Sequence, residues 1–207
     1  MVPPPRRSTE TRPVLVEDAA LARAALDGQP AAAAAIWDHF SPVVRAILRR
    51  ILGPNSDVND LVQDVFLKIF KEIATLRDPY AFRTFVMRVA THVAISELRR
   101  RKVRPSLCLT LDGILPDISV GAVASSPDRL AVRALYRLLD ELDPESRSAF
   151  VLHYIEELEL REVAAAMEIS LATVKRRLAH ARERLLAKGK DDAHLHAYLE
   201  EQGHEPT

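Results

Sequence analysis

The sequence predicts an all-α protein of two helical domains joined by a flexible linker, and three observations predict it. Apolar residues recur at spacings of three and four through most of the chain, and no stretch alternates with a period of two. Only 6 glycines interrupt long runs rich in Ala, Leu, Val, Arg and Glu, most of them good helix formers. Between residues 105 and 126 the periodicity lapses into prolines, glycines and serines, a structureless length foreign to the inside of one compact domain. The 48% apolar content suffices for a packed core on each side.

The elements follow in order. Residues 1–16, rich in Pro, Arg and Thr, read as a disordered tail, and the first domain spans 17–104. Helical pattern begins near Glu17 and stops at Gly28; Pro30 opens a second helix, Ala31 to Phe40, which Ser41-Pro42 kinks or restarts and Gly53-Pro54 closes. In the third helix Leu61, Val65, Ile69, Ile73 and Leu76 form an apolar stripe with Val62, Phe66 and Phe70 beside it. Its opposite face carries Asp57, Asp60 and Asp64, acids suited to a helix N-terminus. Asp78-Pro79 supplies an N-cap and a first-turn proline for the fourth helix, which buries Phe82, Phe85, Val86, Val89 and Val93 and ends before Pro105.

Residues 105–126 form the linker, with Asp112 and Asp117 giving it some acidic character and Asp128 following just beyond. The second domain, 127–189, starts on Ser126-Pro127 and repeats the cap-plus-proline device at Asp143-Pro144. Its helices are expected near 127–140, 144–155, 160–167 and 171–187, ahead of an acidic tail at 190–207.

Charge is distributed unevenly along a chain whose formal net charge is +0. Residues 83–104 hold seven cations (Arg83, Arg88, Arg99, Arg100, Arg101, Lys102, Arg104) against the single acid Glu97. Residues 171–190 hold seven more (Lys175, Arg176, Arg177, Arg182, Arg184, Lys188, Lys190) against Glu183. Two separated cationic stretches on helices suit a polyanion held at two places, while the acidic remainder suits a basic partner.

Residues 160–179 fit a helix-turn-helix. Leu160, Val163, Ala164 and Met167 form the buried side of a short helix, Glu168-Ile169-Ser170 the turn, and Ser170 the cap of a second helix anchored by Val174 and Leu178. The outward residues at the start of such a helix reach base edges in the major groove. Here these include Thr173, Lys175 and Arg176, with Arg177, Arg182 and Arg184 better placed for phosphates. Glu168 occupies a turn position where glycine is usual, at a cost of roughly 1 kcal/mol if the backbone there is left-handed.

These motifs resemble bacterial RNA polymerase sigma factors. The run from Asp57 to Phe70 is similar to region 2.2, Phe82 to Arg101 to regions 2.3 and 2.4, and Leu142 to Arg184 to region 4. With two domains and a short linker, the chain resembles the extracytoplasmic-function (ECF) group over about residues 19–189. The resemblance implies a region 2 bundle that docks on core RNA polymerase through Asp57, Asp60, Gln63 and Asp64. It implies −10 promoter contacts from Phe85, Arg88, His92, Ser96, Arg99, Arg100 and Arg101, and −35 contacts from Thr173, Lys175, Arg176, Arg177 and Arg182. It also implies a linker directed toward the RNA exit path, and control by an anti-sigma factor.

Some positions depart from the family pattern. Phe85 stands where Trp is common, His92 where Asn is, Ser96 where Asp is, Ala172 where Gly is and Arg176 where Ser is, so an unusual promoter preference is expected.

Other classes fit less well. A helix-turn-helix regulator that is not a polymerase subunit leaves the first-domain pattern without a role. His194, His196 and His204 in the tail lack ligand spacing, so no metal or cofactor is expected. There is no phosphate loop or nucleophile–base pair, and the chain is expected to catalyse nothing by itself. Cys108 alone excludes an internal disulfide and a Cys-rich zinc site. No run reaches the ~20 apolar residues of a membrane span, and no signal peptide is evident, so a cytoplasmic location is expected.

Overall fold

A computed structural model describes residues 11–53, 56–103 and 135–188. Every regular element among them is helical. The first domain contains α1 (Thr11–Leu26), α2 (Ala32–Leu52), α3 (Asn59–Glu72) and α4 (Phe82–Val103), with short 3₁₀ turns at Ile73–Thr75 and Pro79–Ala81. The second contains α5 (135–139), α6 (Pro144–Phe150) running into a π-helical turn (Val151–Ile155), α7 (Leu160–Met167) and α8 (Leu171–Lys188). The expected linker, the Ser126-Pro127 start and the histidine-bearing tail lie outside the described residues.

Two expectations about the first helices need correction. α1 begins at Thr11, so residues 11–16 are helical and not part of a tail. Pro13 falls in the first turn, where backbone N–H groups lack intrahelical partners and a missing one costs little. Farther along, Asp18, Ala19 and Ala22 are fully buried and dock the helix. At its end Gly28, at φ 71°, and Gln29 donate back to the Ala25 and Ala24 carbonyls at 3.1 and 3.0 Å, closing the helix in a Schellman arrangement.

The second correction concerns Pro42, which neither breaks α2 nor restarts it. One helix of 21 residues runs through it. Pro42 and Asp38, whose carbonyl loses its helical partner, both lie on the exposed side of the helix, where the freed carbonyl is open to solvent. The apolar face continues unbroken across the site through Ile36, Phe40, Val44, Ile47, Leu48 and Ile51.

The core face of α3 is rotated slightly from the expected stripe. Val62, Val65, Phe66 and Ile69 are buried, whereas Leu61 is intermediate and Phe70 is 37% exposed. Trp37 packs against Phe66 with ring centroids 4.4 Å apart, drawing the helix toward α2. Asp78 caps the next turn as expected, accepting from the Tyr80 N–H at 2.9 Å with Pro79 at the first position. α4 then buries Phe82, Phe85, Val86, Val89 and Val93, and packs on α2 and α3 on one side and on α6 and α7 on another.

In the second domain, Asp143 accepts from the Ser146 N–H at 2.9 Å at the head of α6. Burial pushes its carboxyl upward, but the side-chain and backbone hydrogen bonds of Ser146, together with a hydrogen bond from Glu145 and the charge of Arg177, hold the group below the usual aspartate range. Leu139, Phe150, Leu152, Val163, Met167, Val174, Leu178 and Leu185 close the core. The π turn places His153 so that its Nδ1–H donates to the Leu158 carbonyl at 2.8 Å, fixing the bend before α7.

Candidate nucleic-acid and docking surfaces

The helix-turn-helix forms as the spacing predicts, with one change in its packing. Val163, Ala166 and Met167 are the buried residues of α7, while Leu160 and Ala164 are only partly covered. Ala164 acts instead through its backbone, because its carbonyl accepts from the Ile169 N–H at 3.1 Å to close the helix. Glu168 adopts the left-handed conformation (φ 53°, ψ 42°) that the turn requires and that glycine would take more readily. Ser170 Oγ accepts from the Thr173 N–H at 3.2 Å, and the two hydroxyls lie 2.8 Å apart. Val174, Leu178, Ala181 and Leu185 anchor α8 from below.

Lys175 and Arg176 stand exposed on the opposite face and pair with no carboxylate among the described residues. Thr173 is half-buried, as are Arg177 and Arg182. Arg177 lies 3.6 Å from both Asp143 and Glu145, so its charge is partly neutralised within its own domain.

On α3, Asp57, Asp60, Gln63 and Asp64 are all exposed. Asp57 Oδ1 accepts from the Asn59 N–H at 3.0 Å, which fixes the entry to the helix, and Arg45 bonds the Asn59 side chain from α2. Sequence reasoning missed Leu67, which is 68% exposed three residues beyond Asp64. A large apolar residue at helical spacing from polar ones was the available signal.

The arginine-rich end of α4 differs most from expectation. Though Arg99, Arg100 and Lys102 are exposed, every described cation of α4 is already engaged by a protein partner. Arg83 donates from Nε to the buried Asp18 at 2.7 Å and lies over the Phe40 ring. Arg88 donates to Glu168 at 2.8 Å, and His92 Nε2 is 3.5 Å from the other oxygen of that carboxylate. Arg99 donates to Glu145 from Nε at 2.9 Å. Arg100 and Arg101 converge on Glu97 at 2.6 and 2.8 Å, and Lys102 donates to the Leu142 carbonyl at 2.7 Å. Charge counting along the sequence cannot reveal these partners, most of which lie far away in the chain.

Among the candidate −10 contacts, Phe85 alone is buried. It is 6% exposed, with the Phe82 ring beside it in the core and the Arg88 guanidinium 5.0 Å from its centroid. Ser96 is exposed, its hydroxyl donating to the His92 carbonyl at 2.8 Å. The described residues contain no cluster of potential metal ligands, and none of their helices is long and apolar enough to cross a membrane.

Comparison with known proteins agrees with this architecture. Residues 36–104 match the family model of sigma-70 region 2, and residues 132–185 match that of sigma-70 region 4. The chain is 27% identical over 178 residues to the ECF RNA polymerase sigma factor SigW of Bacillus subtilis, covering 79% of this chain and 92% of that protein. It is 30% identical over 139 residues to the ECF RNA polymerase sigma-E factor of Escherichia coli K12, covering 63% of this chain and 72% of that one. Among solved structures, CnrH in complex with the cytosolic domain of CnrY aligns at a TM-score of 0.60 and 24% identity, over 85% of this chain and 99% of that chain. That likeness is one of fold.

Proposed function

The chain belongs to the ECF RNA polymerase sigma factors, and on that premise we propose how its surfaces divide the work of promoter-specific initiation. The exposed face of α3 docks on core RNA polymerase through Asp57, Asp60, Gln63 and Asp64, with Leu67 adding an apolar contact. An acidic face with an apolar centre suits a basic partner surface, charge steering the encounter and the apolar contact slowing release. α8 reads the −35 duplex from the major groove, with Thr173, Lys175 and Arg176 toward the bases and Arg177 and Arg182 toward phosphates. α4 holds the −10 element through Arg88, His92, Ser96, Arg99, Arg100 and Arg101, cations and polar groups suited to a strand's phosphates and bases.

One observation supports this division above the others. A single chain presents an exposed acidic face on α3 and, on α8, an exposed Lys175–Arg176 pair that meets no carboxylate among the described residues. A DNA-binding regulator with no place in the polymerase would leave the first of these without a partner. The structurally similar CnrH occurs in a complex with the cytosolic domain of CnrY; an anti-sigma partner acting on this chain is part of the same reading.

The test is transcription from a randomised promoter library by core polymerase supplemented with the purified chain. Initiation at a selected −35/−10 pair is expected. With Asp60→Lys and Asp64→Lys combined, association with core polymerase should fall at least tenfold while helical content is unchanged. Retained association would reject the α3 assignment.

A further inference from the structure

The second domain lies on the face of the first that carries the arginine-rich helix, and charged and polar contacts flank an apolar seam that joins the two cores. Glu168 in the helix-turn-helix turn takes Arg88 and sits beside His92, and Glu145 at the head of α6 takes Arg99. Lys102 donates to the Leu142 carbonyl. On the adjoining edge, Arg50 pairs with Glu156 at 2.6 Å. The last carbonyls of α2 are capped from across the boundary as well. Tyr136 Oη donates to the Arg50 carbonyl at 3.0 Å, and Arg147 Nε donates to the Ile51 carbonyl at 2.6 Å. These carbonyls have no partner within their own helix, and a cation there also complements the helix dipole.

We propose that this arrangement is a self-closed state in which Glu145 and Glu168 occupy the cations of α4 that a −10 strand must engage. This rests on the assignment of α4 to the −10 element. A phosphate and a carboxylate compete for the same guanidinium, so strand capture and closure exclude one another at Arg88 and Arg99. Closure does not cover the other surfaces. Lys175 and Arg176 on α8 stay exposed, and so do Asp57, Asp60, Gln63 and Asp64 on α3. The closed chain is therefore competent for polymerase docking and for duplex contact, and incompetent for single-strand capture. Opening is the step that commits it.

The device suits reversible opening. Glu168 is 51% exposed and Arg99 64% exposed, so added salt and competing phosphates reach these pairs readily. The expected linker, residues 105–126, joins the domains with 22 residues. Fully extended they reach roughly 75 Å, ample for separation. Glu168 also explains a feature that turn chemistry alone leaves odd. The left-handed position favours glycine, yet only a side chain there can reach Arg88.

The test uses the full chain with Glu145→Gln and Glu168→Gln combined. Small-angle scattering reads domain separation, and fluorescence anisotropy reads binding of a labelled random-sequence 15-mer, single-stranded or duplex. The closed state predicts a larger radius of gyration and about five-fold tighter single-strand binding at low salt, with duplex binding unchanged within about two-fold. The double variant Asp27→Asn/Asp38→Asn, at two exposed acids of the first domain, makes the same charge change and should alter neither readout. Tyr136→Phe removes only the hydroxyl that bonds the Arg50 carbonyl, and should move both readouts in the same direction as the Gln variant, to a smaller extent.

An unchanged radius in both the Gln and Phe variants overturns the clasp, whatever α4 binds. Expansion without tighter strand binding overturns the masking and rejects α4 as the strand-binding helix. Equal tightening in the Asn control reduces the effect to net charge and also overturns the proposal.

Discussion

The buried Arg147 guanidinium donates from Nε to the Ile51 carbonyl oxygen at 2.6 Å, so a cation of the second domain caps the C-terminus of a helix in the first. Asp140 holds the same guanidinium from its own side. The consequence is directional. Removing this side chain leaves a helix-end carbonyl to water, which requires the boundary to open.

Arg147→Met keeps much of the volume and deletes the donor. It should weaken closure by about 1–3 kcal/mol. Scattering should show a larger radius of gyration than the parent, while thermal unfolding of the first domain shifts little. An unchanged radius would show that the bond contributes nothing to closure.

Asp18 ties three helices together. It is fully buried, accepts from His39 Nε2 at 2.8 Å and from Arg83 Nε at 2.7 Å, and so joins α1 to α2 and to the start of α4. Asp18→Asn leaves two donors facing a group that accepts only through one oxygen, and should cost about 2–4 kcal/mol. Hydrogen exchange should accelerate first in α1, since that helix depends on this anchor most. Uniform protection across the domain would contradict this account.

Glu97 gives a pH dependence whose sign can be worked out. Hydrogen bonds from Arg100, opposed by burial and joined by those from Arg101, hold its carboxyl below the usual glutamate range. A depressed folded value means that the stabilisation is fully present above the unfolded value of about 4.3. It is lost as pH falls through the lower, folded value. Glu97→Gln should therefore cost about 1–2 kcal/mol near neutrality. Parent and variant should converge in denaturant midpoint on acidification below that range. A difference independent of pH would assign the effect to packing.

Lys175→Ala or Arg176→Ala should each cost about 1–3 kcal/mol in −35 binding and relax base preference at one position. Selection of binding sites from a random duplex pool provides the measurement. A loss that is uniform across sequences would make the residue a phosphate contact.

Much of the local structure was legible in the chain. Asp78-Pro79, Asp143-Pro144 and Ser170 cap helices where their chemistry indicates, because a cap is decided within three residues. Apolar spacing located the core of α4 and the anchors Val174 and Leu178 for the same reason. Two local readings failed where packing overrode propensity. Pro42 sits inside a continuous helix because the freed carbonyl faces water, and residues 11–16 extend α1 because its later positions are anchored.

By itself, then, the sequence determined the helices, their caps, the two-domain pattern and the family to which the chain belongs, all of which depend on near neighbours or on motif spacing. Tertiary structure decided which charges remain available. Arg99 meets Glu145 across 46 positions, Arg88 meets Glu168 across 80, and Arg147 meets Ile51 across 96. No periodicity connects residues so far apart. A count of arginines records how much charge a helix carries, while the partners of Arg88, Arg99 and Lys102 are set by how the second domain comes to rest on the first.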